Sequence, residues 1–354
     1  MKRKTVSIIK ACYFTEKAKA LYERLSSSLP DIIWLSFENK DELDQWTKDA
    51  FEKSVPLLFI SAAGIATRTI SPFVKDKLTD SPVLVMDEEG KFIIPILSGH
   101  LGNANQIAEI ISSATGAQAV ITTATDVNGR FSVDNFAKAN GFRIVNRNGI
   151  KKVSARILSG EKITVYVEDS ISINDSNIPE EITLTKEVSS ADVVITTEEI
   201  PAAELKDTLY LVPKKYCLGM GCKKGKSFEE IKNFAEEILK EKLDCELQKE
   251  VHSLSSIDLK EMETGLAAFS HYLHVPFEIF SAEELMSVKG DFSESDFVKE
   301  TTGVSNVCER SAALSAGKNY RLALNKTSGN GITLSVAEKI PEIKTWDCIS
   351  GGKQ

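Results

Sequence analysis

The sequence predicts a multidomain α/β protein: an N-terminal, mainly parallel sheet with flanking helices, a small middle α/β domain and a C-terminal α/β domain. Three observations predict it. The first third of the chain alternates short apolar runs with helical periodicity, the pattern of a parallel sheet. Near Asn135 the texture changes to short apolar runs in polar, Ser- and Glu-rich text, and helical periodicity returns beyond Cys217. A chain of 354 residues is also long for one hydrophobic core. The expected domains are 1–134, 135–213 and 214–354.

In order, Val6–Ala11 reads as a strand and Glu16–Leu25 as a helix with Ala18, Leu21, Tyr22 and Leu25 on one face. Ile32–Phe37, Leu57–Ala62 and Val83–Met86 read as strands, with a helix at Asp41–Phe51. The tetrad Asp87-Glu88-Glu89-Gly90 is a turn before the strand Phe92–Leu97. A helix over Ala104–Ala114 and a strand at Ala119–Ile121 follow. In a parallel sheet the turns near Gly64, Asp87, Ser98 and Thr122 would all open on one crevice. In the middle domain Phe142–Val145, Ile163–Val167, Val193–Thr196 and Leu209–Val212 are strands, and Ser170–Ser189 is loop or edge structure. The last domain has helices from Phe228, over Asp258–Tyr272 and over Val307–Ala316. Its strands are expected near Val251–Leu254 and at Phe277–Phe280, Arg321–Leu324 and Ile332–Val336, with a mobile loop at Lys289–Gly303.

Composition narrows the function. Hydrophobic residues make up 42% and charged residues 27%, as in an ordinary soluble globular protein. A net charge of −8 argues against general nucleic-acid binding. Six cysteines without a CxxC pair form no disulfide framework, so the thiols are read as reduced and the protein as cytoplasmic. The N-terminal MKRKTVSIIKACYF imitates a signal peptide, but Lys10 interrupts its apolar run and no small-residue cleavage site follows. No apolar segment approaches a membrane span.

The chemistry concentrates in strand-to-helix turns. Ser98-Gly99-His100-Leu101-Gly102-Asn103 joins a strand to a helix whose N-terminal amides attract an anion or a developing oxyanion. His100 has a reference pKa suited to general-base work, although a histidine in a turn also has a purely structural reading. Asn105 and the turn Thr122, Thr123, Thr125 and Asp126 supply polar company. The glycine spacing misses a dinucleotide fingerprint. Gly219–Ser227 nearly imitates a phosphate-binding loop, but Met220 stands where its first glycine belongs. Lys214, Lys215, Lys223, Lys224 and Lys226 gather there in an otherwise acidic protein, a basic loop for an acidic ligand. His271 and His274 lack a third metal ligand nearby, and a structural reading is preferred.

The run Gly64–Asp126 (GIATRTISPFVKDKLTDSPVLVMDEEGKFIIPILSGHLGNANQIAEIISSATGAQAVITTATD) closely resembles the central signature of the cobalt-precorrin-5A hydrolase family, the CbiG type, of anaerobic cobalamin biosynthesis. LGMGCKKGKS at Leu218–Ser227, DLKEMETGLAAFS at Asp258–Ser270, GVSNVCERSAALSAG at Gly303–Gly317 and Lys326 resemble that family's C-terminal, CobE-like domain. Order and spacing agree over about 64–337, while the segment before Gly64 and the middle domain match only in general character. Asn103 is a departure, standing where many members are expected to carry a second glycine.

The resemblance implies a hydrolase that adds water to open the ring A δ-lactone of cobalt-precorrin-5A, releasing acetaldehyde and cobalt-precorrin-5B. No cofactor is implied, because cobalt arrives with the substrate, and no protein-bound metal is expected. The resemblance assigns no catalytic base. Within it, His100 is expected to activate water with Asp126 or Asp87 orienting it. Gly64, Arg68, Ser98, Gly99, Gly102, Asn103, Asn105, Thr122, Thr123, Thr125, Gly219, Gly221, Cys222, Lys223, Lys224, Glu263, Glu309 and Lys326 are expected to contact substrate. Glu263 and Glu309 are second-choice candidates for the base. The expected partner is a polycarboxylate tetrapyrrole, with homodimerisation or transient contact with neighbouring pathway enzymes. Nucleic acid and membrane are not expected partners. Competing readings are a non-catalytic corrinoid carrier and an NTP-dependent enzyme using residues 219–227.

Overall fold

The computed structural model describes residues 4–37, 40–76, 79–100, 102–123, 129–200, 207–294, 300 and 302–346. Two compact units emerge. Unit 1 combines the described residues of 1–98, 102–120 and 215–339, and unit 2 those of 99–101, 121–214 and 340–354.

Unit 1 opens with β1 (Lys4–Tyr13), α1 (Glu16–Ser28), β2 (Ile32–Ser36), α2 (Leu43–Glu52) and β3 (Leu57–Ile60). It continues with α3 (Ala63–Ile70), β4 (Val83–Met86), β5 (Phe92–Leu97), α4 (Ala104–Thr115) and β6 (Gln118–Ala119). Unit 2 holds α5 (Val133–Ala139), β7 (Phe142–Ile144), α6 (Arg147–Leu158), β8 (Ile163–Val167), β9 (Ser172–Ile173), β10 (Ile182–Thr185), β11 (Val193–Ile195) and β12 (Leu209–Pro213). The chain returns to unit 1 as β13 (Tyr216–Cys222), α7 (Phe228–Leu243), α8 (Leu247–Glu250), β14 (Val251–Ile257), α9 (Thr264–Tyr272) and β15 (Phe277–Phe280). Then come α10 (Ala282–Ser287), α11 (Cys308–Ala316), β16 (Arg321–Gly329) and β17 (Ile332–Glu338), and β18 (Glu342–Ile343) lies in unit 2.

The first and last stretches of sequence share one sheet. Its order is β16-β17-β13-β14-β15-β1-β3-β4-β5-β6, with β2 beside β1. The join is antiparallel, Lys4 to Ile279 and Val6 to Phe277. The apolar patterning explains it, because both sides of the join feed one core. Ile8, Ile33 and Val55 from the first stretch pack with Leu218, Leu254, Phe277 and Val336 from the last. A second core under α2 and α3 gathers Phe59, Ala66, Ile70 and Val85.

Strand direction corrects the single crevice expected from sequence. β1, β3 and β4 run parallel, but β5 runs antiparallel to β4. Asp87-Glu88-Glu89-Gly90 is a hairpin turn and not a crossover, so the chain reverses. Gly64 and Asp87 follow strand ends on one edge of the sheet, and Ser98 follows a strand end on the other. The C-terminal end of β13 points to the same edge as Ser98, six strand intervals away, or roughly 29 Å along the sheet at ~4.8 Å each.

Unit 2 has its own sheet, β10-β8-β11-β12-β7, parallel except for β7. The helices α5 and α6 fall where short strands and polar text are expected, and β10 is an edge strand inside the stretch expected as loop or edge. Residues 340–346 pin α5. Trp346 is buried and stacks on Phe136 at 4.8 Å. The Asn140 side chain accepts from Lys344 N and donates to Thr345 O.

In the last stretch, Asn330 and Gly331 both take positive φ, the twist-matched hairpin turn between β16 and β17. The helix expected over Asp258–Tyr272 is divided into one 3-10 turn, Asp258–Lys260, and α9. Lys289–Gly303 lies partly outside the described residues. Among the described residues, no helix is long and apolar enough to cross a membrane.

Candidate active site

The loop after β5 is tightly closed. Ser98 takes φ 54°, its hydroxyl donates to Asp80 O at 2.7 Å, and its carbonyl accepts from Ala104 N at 3.2 Å. A Cβ on Gly102 would lie 2.6 Å from Ser98 Cβ and 2.8 Å from Ser98 O, so this position admits only glycine without rearrangement. Asn103, at φ 71°, sits in the left-handed region at the start of α4. Glycine is the usual occupant there and asparagine the best-tolerated substitute, which accounts for the departure noted in the sequence. Asn105 is buried in the first turn of α4.

His100 belongs to unit 2, and its nearest functional neighbours come from α5. Its Nδ1 lies 3.2 Å from Asp134 Oδ2 and 3.5 Å from Ser132 Oγ. Ser132 Oγ donates to the other oxygen of Asp134 and accepts from Asn135 N as the cap of α5. The His100 and Asp134 side chains are 10% and 13% exposed, so their contact is largely shielded from water. Asp134 lies in the first turn of α5, where the helix dipole favours a carboxylate. From the last turn of α5, Lys138 Nζ donates to the backbone oxygen of His100 at 3.3 Å. Burial pulls Lys138 down to about 7, against the pull of Asp134 and with the push of Lys214. Burial, aided by Arg143, pulls Lys214 down to about 8.

Sequence reasoning missed Ser132, Asp134, Lys138 and Arg143. A signal existed in Ser132-Val133-Asp134, a capping serine with an acid in the first helical turn. It is obscured because the expected domain boundary falls at 134. Gly99 also lies in unit 2, as do Thr122, which is exposed, and Thr123, which is partly buried. Thr125 and Asp126 lie outside the described residues.

Asp87 has a different task from the one expected. Its carboxylate accepts from the amides of Glu89, Lys91 and Phe92 at 2.9, 3.0 and 2.6 Å, and so shapes the β4–β5 turn. Those oxygens are spent locally, and the orienting partner that the structure gives His100 is Asp134. Gly64 lies in the first turn of α3, and the exposed Arg68 folds back onto its carbonyl at 3.3 Å.

The glycine-rich stretch of the C-terminal segment is mostly strand. Gly219, Met220, Gly221 and Cys222 lie in β13, and Met220 is fully buried. A Cβ on Gly219 would come within 1.8 Å of Cys308 O, so this glycine lets α11 pack on the strand. Burial pushes the Cys222 thiol up to about 11. Ser227 caps α7 in a capping box with Glu230, and Lys226 pairs with Glu230 at 2.6 Å. With Gly219–Cys222 paired inside β13, only residues 223–226 separate the strand from the cap of α7, too few for the loop of a nucleotide cradle, which removes the geometric basis of the NTP reading.

Lys223 and Lys224 remain exposed, and Glu263 ties their turn down by accepting from Gly225 N at 2.9 Å and pairing with Lys260. Beside them is a shallow hollow of about 370 Å³ lined by Lys224, Leu259, Lys260, Met262 and Glu263. Leu259 and Met262 are 61% and 60% exposed there, an apolar surface fringed by lysine. Glu309 is 2% exposed and accepts from Ser293 N, Ser293 Oγ, Asn306 Nδ2 and Lys326 N. With its oxygens so occupied it is a structural hub, and Lys326 enters that hub through its backbone. His271 accepts from Ile8 N at 3.4 Å and His274 faces Ser54 Oγ at 3.4 Å, both structural contacts.

Comparison with known proteins gives a consistent set of likenesses. Residues 45–126 match the family model described as Cobalamin synthesis G N-terminal, 131–213 the Cobalamin biosynthesis central region, and 216–337 the Cobalamin synthesis G C-terminus. The chain is 32% identical over 335 residues to a cobalt-precorrin-5A hydrolase of Priestia megaterium, spanning 87% of this chain and 88% of that protein. It is 31% identical over 339 residues to a cobalt-precorrin-5A hydrolase of Salmonella typhimurium, spanning 90% and 94%. A solved structure, a cobalamin biosynthesis protein G homolog from Sulfolobus solfataricus, aligns over 95% of this chain and 97% of its own at 24% identity and a TM-score of 0.40.

Proposed function

Because the chain belongs to the CbiG family of cobalamin biosynthesis, we propose that it is a cobalt-precorrin-5A hydrolase working through His100 and Asp134. The observation that carries the catalytic assignment is the buried contact of His100 Nδ1 with Asp134 Oδ2 at 3.2 Å. A carboxylate on Nδ1 holds the imidazole as the tautomer with its proton on that nitrogen. With the proton on Nδ1, the basic lone pair of the ring is on Nε2. Ser132 fixes the carboxylate from its other oxygen.

In this mechanism His100 Nε2 takes a proton from water as the oxygen attacks the lactone carbonyl. The tetrahedral oxyanion is stabilised by loop amides around Gly99. Collapse breaks the acyl carbon–oxygen bond, leaving the ring A acetate as a carboxylate and the former meso carbon carrying an alkoxide. That alkoxide becomes the carbonyl of acetaldehyde as its bond to the ring breaks. The electron pair passes into the conjugated macrocycle, which takes up a proton. Cobalt is part of the substrate throughout.

The test is anaerobic acetaldehyde release from cobalt-precorrin-5A. His100→Ala is expected to lower kcat by about 10²–10⁴-fold, and Asp134→Asn to lower it while leaving KM near wild type. Full turnover by a folded His100→Ala protein would remove the histidine from the mechanism.

A further inference from the structure

In unit 2 three cations follow one another from His100: Lys138 against it, then Lys214, then Arg143. The antiparallel pairing of β7 with β12 sets Arg143 opposite Val212, and Lys214 N then donates to Gly141 O at 2.9 Å. Lys138, at the end of α5 just before β7, donates to His100 O and lies within the electrostatic reach of Lys214 and Asp134. Lys214 in turn feels the guanidinium of Arg143. The buried Nε of Arg143 makes no hydrogen bond among the described residues. Such a donor is costly unless something accepts from it, and crowding like charges adds to that cost.

We propose that Arg143, Lys214 and Lys138 form a carboxylate-binding subsite next to His100, taking one acid side chain of the tetrapyrrole. The proposal rests on the functional reading above and deepens it by naming what orients the substrate on the catalytic side. A guanidinium presents a planar fork that matches a carboxylate, and Arg143 has a donor to spare. The two lysines add positive charge, which makes the subsite selective for an anion. These are positioning residues, since none is required to touch the lactone. The lowered ionisation of Lys138 and Lys214 fits a subsite whose charge an arriving anion strengthens, because a bound carboxylate favours the ammonium form. Asp134 and His100 face the same lysine and are part of its electrostatic balance.

Two measurements on the full-length protein decide it. In steady-state acetaldehyde release, Arg143→Gln and Lys214→Met should each raise KM by ~10- to 100-fold, the loss of a charged hydrogen bond, with kcat within about threefold of wild type. Separately, wild-type protein with ¹³C-methylated lysines is titrated by NMR with and without tricarballylate, a small tricarboxylate. The resonances lost in Lys138→Met and Lys214→Met should titrate at higher pH when tricarballylate is present. Normal KM in both folded variants, with no tricarballylate effect on either lysine, overturns the subsite while wild-type turnover leaves the hydrolase reading intact. Absence of turnover in the wild type together with the tricarballylate shift overturns the hydrolase reading and keeps an anion site. If a Met variant does not fold, the corresponding Lys138→Arg or Lys214→Arg variant, which keeps the charge and removes the lysine resonance, makes the assignment, and the wild-type titration decides.

Discussion

At the scale of single residues, the site is a set of groups whose ionisation the fold controls. Lys138 is the clearest case, lowered by burial from its ordinary 10.5 to about 7. Below about 7 the lysine is protonated in both the folded and the unfolded chain, and the folded protein bears the whole cost of burying the charge. Between about 7 and 10.5 the unfolded chain binds a proton that the folded chain has released, so stability rises with pH. Urea melts from pH 6.5 to 9.5, about the span of that window, should therefore show wild type gaining stability relative to Lys138→Met as the pH rises. Parallel curves would mean that Lys138 keeps an ordinary ionisation. Asn103 makes a complementary point. Its departure from glycine was legible, and its meaning was not, because a φ of 71° is a property of the folded loop.

At the scale of elements, small residues decide which faces meet. Gly219 lies under α11, where an added Cβ would meet a backbone carbonyl at 1.8 Å, and backbone yields little. Gly221 would meet only the Thr333 hydroxyl at 2.9 Å, and a hydroxyl can rotate away. Gly219→Ala is therefore expected to destabilise by about 3 kcal/mol or more, the upper end for overpacking, and Gly221→Ala by clearly less. Equal midpoints for the two variants in denaturant unfolding would contradict the close packing of α11 on β13. The same element shows why a phosphate loop was suggested and then lost. Glycine spacing in a sequence does not distinguish a loop that needs bare backbone from a strand that needs a close neighbour.

At the scale of the whole molecule, the first and last stretches of sequence complete one sheet in unit 1. Phe277, fully buried on β15, packs in the core that also contains Ile8 and Ile33. Phe277→Ala is expected to cost about 3–5 kcal/mol. Native-state hydrogen exchange should then speed up in residues 4–13 as well as in 251–280. Faster exchange in the C-terminal strands alone would show that the two stretches fold as separate cores.

Much of this protein was determined by sequence alone. The apolar periods placed β4, β5, α4 and β8 almost to the residue, since burial of alternating or helical faces is a local demand. The blocks around Ser98–Asn103 and Leu218–Ser227 sufficed for the family, because a chain of that length rarely repeats such combinations in order. Direction and partnership needed the tertiary structure. Whether β5 runs with or against β4 depends on a turn of four residues, and one reversal moves Ser98 to the opposite edge of the sheet. Asp134 stands 34 residues from His100, and Arg143 meets Lys214 only through the pairing of β7 with β12. Electrostatic partners are chosen by distance in space, which a sequence period of two or 3.6 residues does not encode.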